Sequence, residues 1–438
     1  MMKRIQNECE VLVIGGGPGG AMACSNLVQN GIEAVLFEKE KTPLLKVGEN
    51  VIPHFWKFAE LMKVKEKVEK EGFVFKAGGS SCWNGKFRKM KFSDFNYSTL
   101  GMHVERDKFD KLLLDHVETQ GAKIFYEVKA LKVINDKGGV EVEYHDLAND
   151  EKGTIKCKYL IDASGQSSLV GLQENLRQYD EAFRFNAYWG YYKGGYYLDA
   201  NANFVEFGNQ LKIKPMTIQS NVGEWGWVWH IIQREFTSLG IIVPKSKRGE
   251  YQSFGDNNVK RFESAIRKAP IIKELLTGSE LIEDMGIKSI IDYSYQPKKF
   301  IVGNCYMVGD AAAFVDPINS AGILMALFSA YSATWAIIRS FKFPNRAEEY
   351  KTYYETQMQD RVEFFKLLAY PSEYITDEMI ERNRNIVKQM GSSENQLAFT
   401  QCTLTNRSKN LNELIGDHIP PILEDLSLEE VLRAAPQR

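Results

Sequence analysis

CEVLVIGGGPGGAMACSNLVQNGIEAVLFE, from Cys9 to Glu38, decides the fold of this 438-residue chain. Val11 to Ile14 is a continuous apolar run, as expected of a strand covered on both faces of a parallel sheet. Gly15, Gly17 and Gly20 then supply G-x-G-x-x-G, and Asn30-Gly31 closes a helix before a second apolar strand, Ala34 to Phe37. Gly15 permits a tight turn, Gly17 lets backbone approach a pyrophosphate, and Gly20 allows the helix to pack closely. Pro18 and Gly19 open that helix, whose N-terminus faces the phosphates. Glu38 ends the second strand, where a carboxylate can accept hydrogen bonds from a ribose. Strand, turn, helix and acid in this order indicate a dinucleotide site in an α/β, Rossmann-like domain.

Working outward, 438 residues can bury a large core arranged as two joined lobes. Hydrophobic residues at 44% and charged residues at 26% are ordinary for a globular protein. A formal net charge of -2 gives no electrostatic case for nucleic acid or an anionic membrane as partner. Cys9, Cys24, Cys82, Cys157, Cys305 and Cys402 show no metal-type spacing, so no metal site is expected, and reduced thiols in a cytoplasm are the default. The start, MMKRIQNECE, lacks the apolar core of a signal peptide, so export is not expected. Ala321 to Ile338 is free of charge, but it contains Ser329, Tyr331, Ser332 and Thr334 and follows a glycine turn. A buried helix is expected there, with no membrane span.

One run is unusual in composition: Trp225, Trp227 and Trp229 alternate in WGWVWHI. On a strand, alternate side chains share a face, so the three indoles are expected to form one wall with His230 behind it. Plain core burial accounts for such a wall equally well when the run stands alone.

Three later segments bear on which dinucleotide is bound. HVERDKFDKLLLDHV starts a helix near Arg106, YLIDASGQSSLVG ends a strand at Asp162 and Gly165, and FIVGNCYMVGDAAAFVDPINSAGI carries a strand ending at Gly309-Asp310. These resemble the FAD-contacting motifs of the flavoprotein monooxygenase superfamily. By that resemblance Arg106 reaches the ribose and pyrophosphate side, and Asp310 holds the ribityl chain and pyrophosphate. No second G-x-G-x-x-G after a strand offers a site for NAD(P)H.

More specific segments resemble the flavin-dependent halogenases. KVGENVIP, Lys46 to Pro53, is similar to the family's strap between flavin and active site and places Lys46, Gly48 and Glu49 there. GFVFKAGGSSCW sets Lys76 in a G-F-x-x-K-x-G pattern, Trp227, Trp229 and Ile231 give W-x-W-x-I, and Phe314, Pro317, Ser320 and Gly322 give F-x-x-P-x-x-S-x-G. The resemblance runs from about residue 8 to about residue 375. It implies FAD as cofactor, held also by Pro317, Gly322 and Ile323, and chloride or bromide as co-substrate. It implies a separate flavin reductase as transient partner and a small aromatic substrate, free or tethered to a carrier protein.

Physical chemistry gives these residues separate tasks. A halide site needs desolvated backbone N–H groups, which the small turn Ser320-Ala321-Gly322 at a helix head can supply. An indole wall from Trp227 and Trp229, with Phe314, can keep organic substrate from the flavin. An amine in an apolar channel loses proton affinity, so Lys76 is the candidate to bind hypohalous acid or carry its halogen as a haloamine. That role requires position 76 to be sheltered from bulk solvent.

Two positions depart from the family. Ile232 stands where W-x-W-x-I-P ends in proline, and Asn319 stands where tryptophan-type halogenases carry a glutamate. An amide cannot serve as a carboxylate base, so a substrate with its own activation, a phenol or pyrrole, is expected rather than tryptophan. A halogenase-like monooxygenase or oxidase acting directly on an organic substrate is the main alternative. An isoprenoid-chain flavin reductase and a nucleotide-binding protein without turnover are further ones.

The expected architecture is an FAD-binding domain of the p-hydroxybenzoate hydroxylase (PHBH) type, discontinuous over 1–72, 105–181 and 290–342. An antiparallel substrate sheet is expected from 73–104 and 182–289, where aromatic strands alternate with glycine turns, and a helical region from 343–438.

Overall fold

In the computed structural model the nucleotide-type run forms the centre of the larger parallel array. The structure describes residues 4–436 apart from 137–138, 182, 224, 371–375, 380 and 384–424. Strand β1 (Glu8–Ile14) leads into helix α1 (Pro18–Gln29) and strand β2 (Ala34–Glu38). Val11, Leu12 and Val13 are fully buried, as a strand covered on both faces requires.

Next come the short strand β3 (Asn50–Val51), two helical pieces (Phe55–Leu61 and Lys65–Glu71), and strands β4 (Val74–Lys76), β5 (Gly78–Trp83), β6 (Lys86–Lys91) and β7 (Gly101–His103). The helix Arg106–Thr119 and strands β8 (Lys123–Tyr126), β9 (Val128–Asp136), β10 (Gly139–Asp146) and β11 (Glu151–Asp162) follow. The nucleotide sheet runs Ile301–Val302, Cys305–Met307, β11, β1, β2, β8, with β9 and β10 attached as an antiparallel hairpin. Its central pairs are parallel, which places the carboxyl ends of β1 and β11 on the same edge. In open α/β sheets that edge is where ligands bind.

A second sheet has Phe185–Gly194, Thr237–Pro244, Gly226–Ile232 and Met216–Val222 at its middle, followed by β5 and β6. Its neighbours are antiparallel except for Met216–Val222 on β5, which is parallel. The tail returns to this sheet: Asp425–Ser427 pairs with β6 before the helix Leu428–Arg433. The region 343–438, expected to be helical, thus includes a strand, and its residues 371–375, 380, 384–424 and 437–438 lie outside the described residues.

Between the two sheets sits a three-stranded patch, β3-β7-β4. It matters for function because the strap enters it as β3, Lys76 ends β4, and only Ala77 separates Lys76 from β5 of the second sheet.

The uncharged stretch becomes the helix Gly322–Lys342, long and apolar enough to span a membrane by length and composition. Most of it is instead covered by protein. It packs against α1, where Asn26 donates to Thr334 Oγ1 at 2.6 Å, and against the helix Ala347–Ala369. Its Ala and Ser residues let the helix axes approach closely, and Ser329, Thr334 and Ser340 turn their hydroxyls back onto carbonyls one turn earlier.

Candidate active site

A cavity of about 800 Å³ opens along the carboxyl edge of the nucleotide sheet and continues to the second sheet. Of the glycines in the first turn, Gly15 has φ +101, and a Cβ there would lie 2.4 Å from the Ala163 carbonyl oxygen. A Cβ on Gly20 would lie 2.0 Å from the carbonyl oxygen of Gly15, so that position packs helix on turn. Gly17 is the opposite case: a Cβ there would meet no protein atom within 4 Å, because the residue faces the cavity. It is also the N-cap of α1 and carries no side-chain cap, leaving the first-turn N–H groups free for an anion. Glu38 accepts from the Gly16 amide at 2.7 Å and the Glu40 amide at 2.9 Å while lining the cavity. Open glycine, uncapped helix and adjacent acid fit a dinucleotide.

Arg106 stands at the head of its helix and forms a forked pair with Asp110, at 3.0 Å on both arms, with its third nitrogen on the Val47 carbonyl at 2.9 Å. Lys46 reaches the same Asp110 at 3.0 Å. Gly48 has φ +95, and a Cβ would meet the Arg106 guanidinium at 2.5 Å, so the strap needs glycine to lie on this arginine. Gly165, Gly309, Asp310, Pro317, Gly322 and Ile323 all line the cavity. Burial raises the Asp310 carboxyl above its ordinary value, against opposing help from the Gln166 amide and Arg106. Asp162 does not line the cavity. It spends its oxygens on the Ser164 and Val170 amides, at 3.0 and 2.8 Å, and so shapes the turn bearing Gly165.

At the far end, Trp227 and Trp229 line the cavity with ring centroids 6.0 Å apart, beside Ala187, Ile290, Tyr293 and Phe314. The Trp229 ring lies directly over Gly240, where a Cβ would be 2.0 Å away. Trp225 corrects the expected three-indole wall. It precedes the strand, stacks on Phe254 at 6.2 Å and donates to Glu250 at 2.7 Å, in a different cluster. Alternation starts only where the strand does, at Gly226. His230 is buried on the side opposite the wall, and burial pulls its imidazole down to about 4.

The strap is clipped to the small turn. Asn50 donates to Ser320 Oγ at 2.6 Å, Ser320 has φ +54, and Asp316 caps Ile318 at 2.9 Å. The Gln219 side-chain amide donates to the Ile318 carbonyl. Ser320 and Gly322 face the cavity, whereas Ala321 lies behind them. Glu49 is buried, accepts from Gln233 at 2.8 Å, and burial raises its carboxyl to about 7 despite the nearby Ser238, Gln233 and Tyr191.

Lys76 is 3% exposed, and burial pulls its ammonium down to about 7. Nζ lies 5.5 Å from the centre of the Phe92 ring and donates to Thr217 Oγ1 at 3.1 Å. The amine does not itself line the cavity; Thr217 does, and Lys76 stands one residue behind it. Sequence reasoning missed Thr217, Gln219, Asn50 and His103. Asn50 lies inside the quoted strap and His103 opens a quoted segment, but neither has a partner nearby in sequence.

Residues 8–186 match the family model described as FAD binding domain. Among curated proteins, the tryptophan 2-halogenase of Chondromyces crocatus is 28% identical over 343 residues, covering 76% of this chain and 62% of that enzyme. The chain thus spans about three-fifths of the length of that relative. The 1H-pyrrole-2-carbonyl-[peptidyl-carrier protein] chlorinase of Pseudomonas fluorescens is 29% identical over 384 residues, 81% of each chain. Among solved structures, the myxobacterial chondrochloren halogenase superposes with a TM-score of 0.75 at 22% identity, covering 93% of this chain and 99% of that one. The mixed α/β class with an FAD-binding domain, read from the sequence, is the one observed.

Proposed function

We infer that this chain, an FAD-binding relative of the flavin-dependent halogenases, is itself a halogenase of electron-rich aromatics. Its substrate on this reading is a phenol or pyrrole, free or carrier-bound, and a separate cytoplasmic flavin reductase supplies reduced FAD. When bound, reduced FAD together with oxygen supplies the oxidising equivalent that turns chloride or bromide into hypohalous acid. The residues that would hold it are Gly15, Gly17 and Pro18 at the helix head, Glu38, Lys46 and Arg106 along the groove, and Asp310 opposite. Backbone N–H groups of the Ser320–Gly322 turn would hold the halide, with Asn50 fixing the turn's geometry.

Lys76 then receives the oxidant. As a free amine its lone pair attacks the halogen of hypohalous acid: an N–X bond forms, the O–X bond breaks, and one N–H proton leaves with hydroxide as water. The alternative at the same residue is a hydrogen bond from the amine to hypohalous acid. The observation carrying this reading is a lysine 3% exposed, behind a residue that lines the same cavity as the glycine turn; burial brings its ammonium down to about 7. Such a group is half free base near neutrality, where an exposed lysine is almost wholly ammonium. Asn319 offers no carboxylate, which disfavours tryptophan on chemical grounds.

Reduced FAD, oxygen, bromide and a phenol should give brominated product, and Lys76→Ala should abolish bromination while flavin oxidation continues. Bromination by that variant would remove Lys76 from the mechanism. A second reading, direct oxygenation or oxidation of the substrate, draws support from one observation: Trp227, Trp229 and the nucleotide groove line the same cavity. Product formation without any halide would favour it.

A further inference from the structure

Thr217 and His103 are both buried and have no part in the proposed chemistry except through Lys76. Their hydrogen bonds form a single line. His103 Nδ1 lies 2.8 Å from the Ile232 carbonyl oxygen, His103 Nε2 lies 2.7 Å from Thr217 Oγ1, and Thr217 Oγ1 lies 3.1 Å from Lys76 Nζ. The direction of the line follows from its far end. A carbonyl only accepts, so Nδ1 carries the proton. Burial first, then the nearby Lys76 and His230, hold the imidazole well below its ordinary value, so the ring is neutral and Nε2 only accepts. The Thr217 hydroxyl therefore gives its one proton to Nε2 and presents lone pairs to Lys76, which must donate.

We propose that His103 and Thr217 are positioning residues that keep the lone pair of Lys76 unmasked, by fixing the Thr217 hydroxyl as an acceptor from the amine. The proposal rests on the reading of Lys76 as the group that receives the halogen. Its content is chemical: a free amine whose lone pair accepts a hydroxyl proton is a poorer nucleophile, and a threonine beside a lysine is free to do that. The committed proton of Thr217 prevents it here, because the imidazole occupies that proton and the Ile232 carbonyl fixes the imidazole. Ile232, where the family pattern has proline, supplies this anchoring carbonyl. Gly101 and Phe92 close the other sides: a Cβ on Gly101 would sit 2.7 Å from Lys76 Cε, and the Phe92 face offers no donor.

The test reads Lys76 directly in the full chain before FAD is added, by reductive methylation with formaldehyde and a borane. Peptide mass spectrometry follows residue 76 across about pH 6–10, giving both its pKa and the plateau rate of its free base. His103→Leu, which frees the Thr217 proton, should lower the plateau by about tenfold without raising the pKa. Adding Thr217→Val removes the masking hydroxyl and should bring the plateau back to within about threefold of the natural chain. Thr217→Ser should behave as the natural chain. An unchanged plateau in His103→Leu, or a further loss in the double variant, overturns the proposal.

Nitrogen-15 shifts of the imidazoles need no variant and should show His103 as the neutral Nδ1–H tautomer near neutrality; an imidazolium or Nε2–H form overturns it too. Bromination by Lys76→Ala alongside the expected labelling pattern would sink the halogen-receiving role and leave the positioning intact. Loss of bromination in Lys76→Ala with an unaffected plateau in His103→Leu would do the reverse.

Discussion

The two ends of the cavity are built on opposite physical plans. The nucleotide end is made largely of main chain: tightly packed glycines around Gly17, which alone in the first turn leaves open space where a Cβ would be, an uncapped helix head and a carboxylate spent on amides. The Lys76 end is made of side chains, a lysine, a threonine and an imidazole shut away from water and linked in a line. A site of backbone dipoles is stable whether or not its ligand is present, since each group keeps water or a neighbour. A buried amine costs stability in the resting fold and is tolerated where its lowered proton affinity serves a reaction. Substitutions at the first end should therefore separate fold from binding, and at the second they should set stability against activity.

The largest effect expected is at Lys76. Lys76→Met keeps the stem volume, loses the amine, and should reduce bromination by about three orders of magnitude, the scale of losing a reacting group. The same variant should unfold at higher denaturant, by about 2–3 kcal/mol near pH 7, because a desolvated amine is replaced by an apolar chain. Lys76 has a folded pKa below its unfolded value, so its penalty grows as pH falls from about 10.5 to about 7 and is constant below. The stabilisation by Lys76→Met should fade as pH is raised through that window. A gain that is the same at pH 10 as at pH 7 would contradict the burial on which the mechanism rests.

The glycines give the next contrast. Gly20→Val forces a Cβ to within 2.0 Å of a carbonyl oxygen and should cost about 3 kcal/mol or more, with FAD binding lost alongside the fold. Gly17 has φ -74 and no atom near its absent Cβ. Gly17→Ala should leave unfolding within about 0.5 kcal/mol of the natural chain. Its FAD affinity should nonetheless fall about tenfold, measured by flavin fluorescence quenching, because the methyl occupies cavity rather than core. Equal losses of stability in the two variants would mean that Gly17 packs the fold and does not face a ligand.

The same contrast explains what could be read from the sequence. Gly15 to Glu38 is one contiguous unit whose spacing is dictated by a turn, a helix and a strand, so its partners are neighbours in the chain. Lys76 was legible through its motif, but the residues that act on it come from β7 and the strand Met216–Val222, far along the sequence. No periodicity links Thr217 to Lys76 or His103 to Ile232; only the parallel pairing of Met216–Val222 on β5 brings Thr217 within reach. Trp225 shows the complementary error, alternation extended one residue past the start of its strand. Composition could not reveal that Gly223 turns the chain there with φ +55.

The smallest effect expected is at Glu49, which joins the two ends because the strap that lies on Arg106 also supplies β3 beside β7. Burial raises its carboxyl to about 7, so the folded chain holds a proton that the unfolded chain has lost between about pH 4.5 and 7. Its penalty is absent below that window, appears as pH rises through it and is complete above. Glu49→Gln keeps the shape and the bond from Gln233 while removing the charge. It should stabilise the chain by about 1 kcal/mol above pH 7 and by nothing near pH 4, as read from urea midpoints. Lys76→Met has the reverse pH order, most stabilising at neutral and acid pH and least at alkaline pH. If Glu49 and Lys76 are as dry as the fold makes them, the two variants' gains should move in opposite directions with pH. Parallel behaviour would place water at one of them, and with it a leak between the nucleotide groove and the lysine.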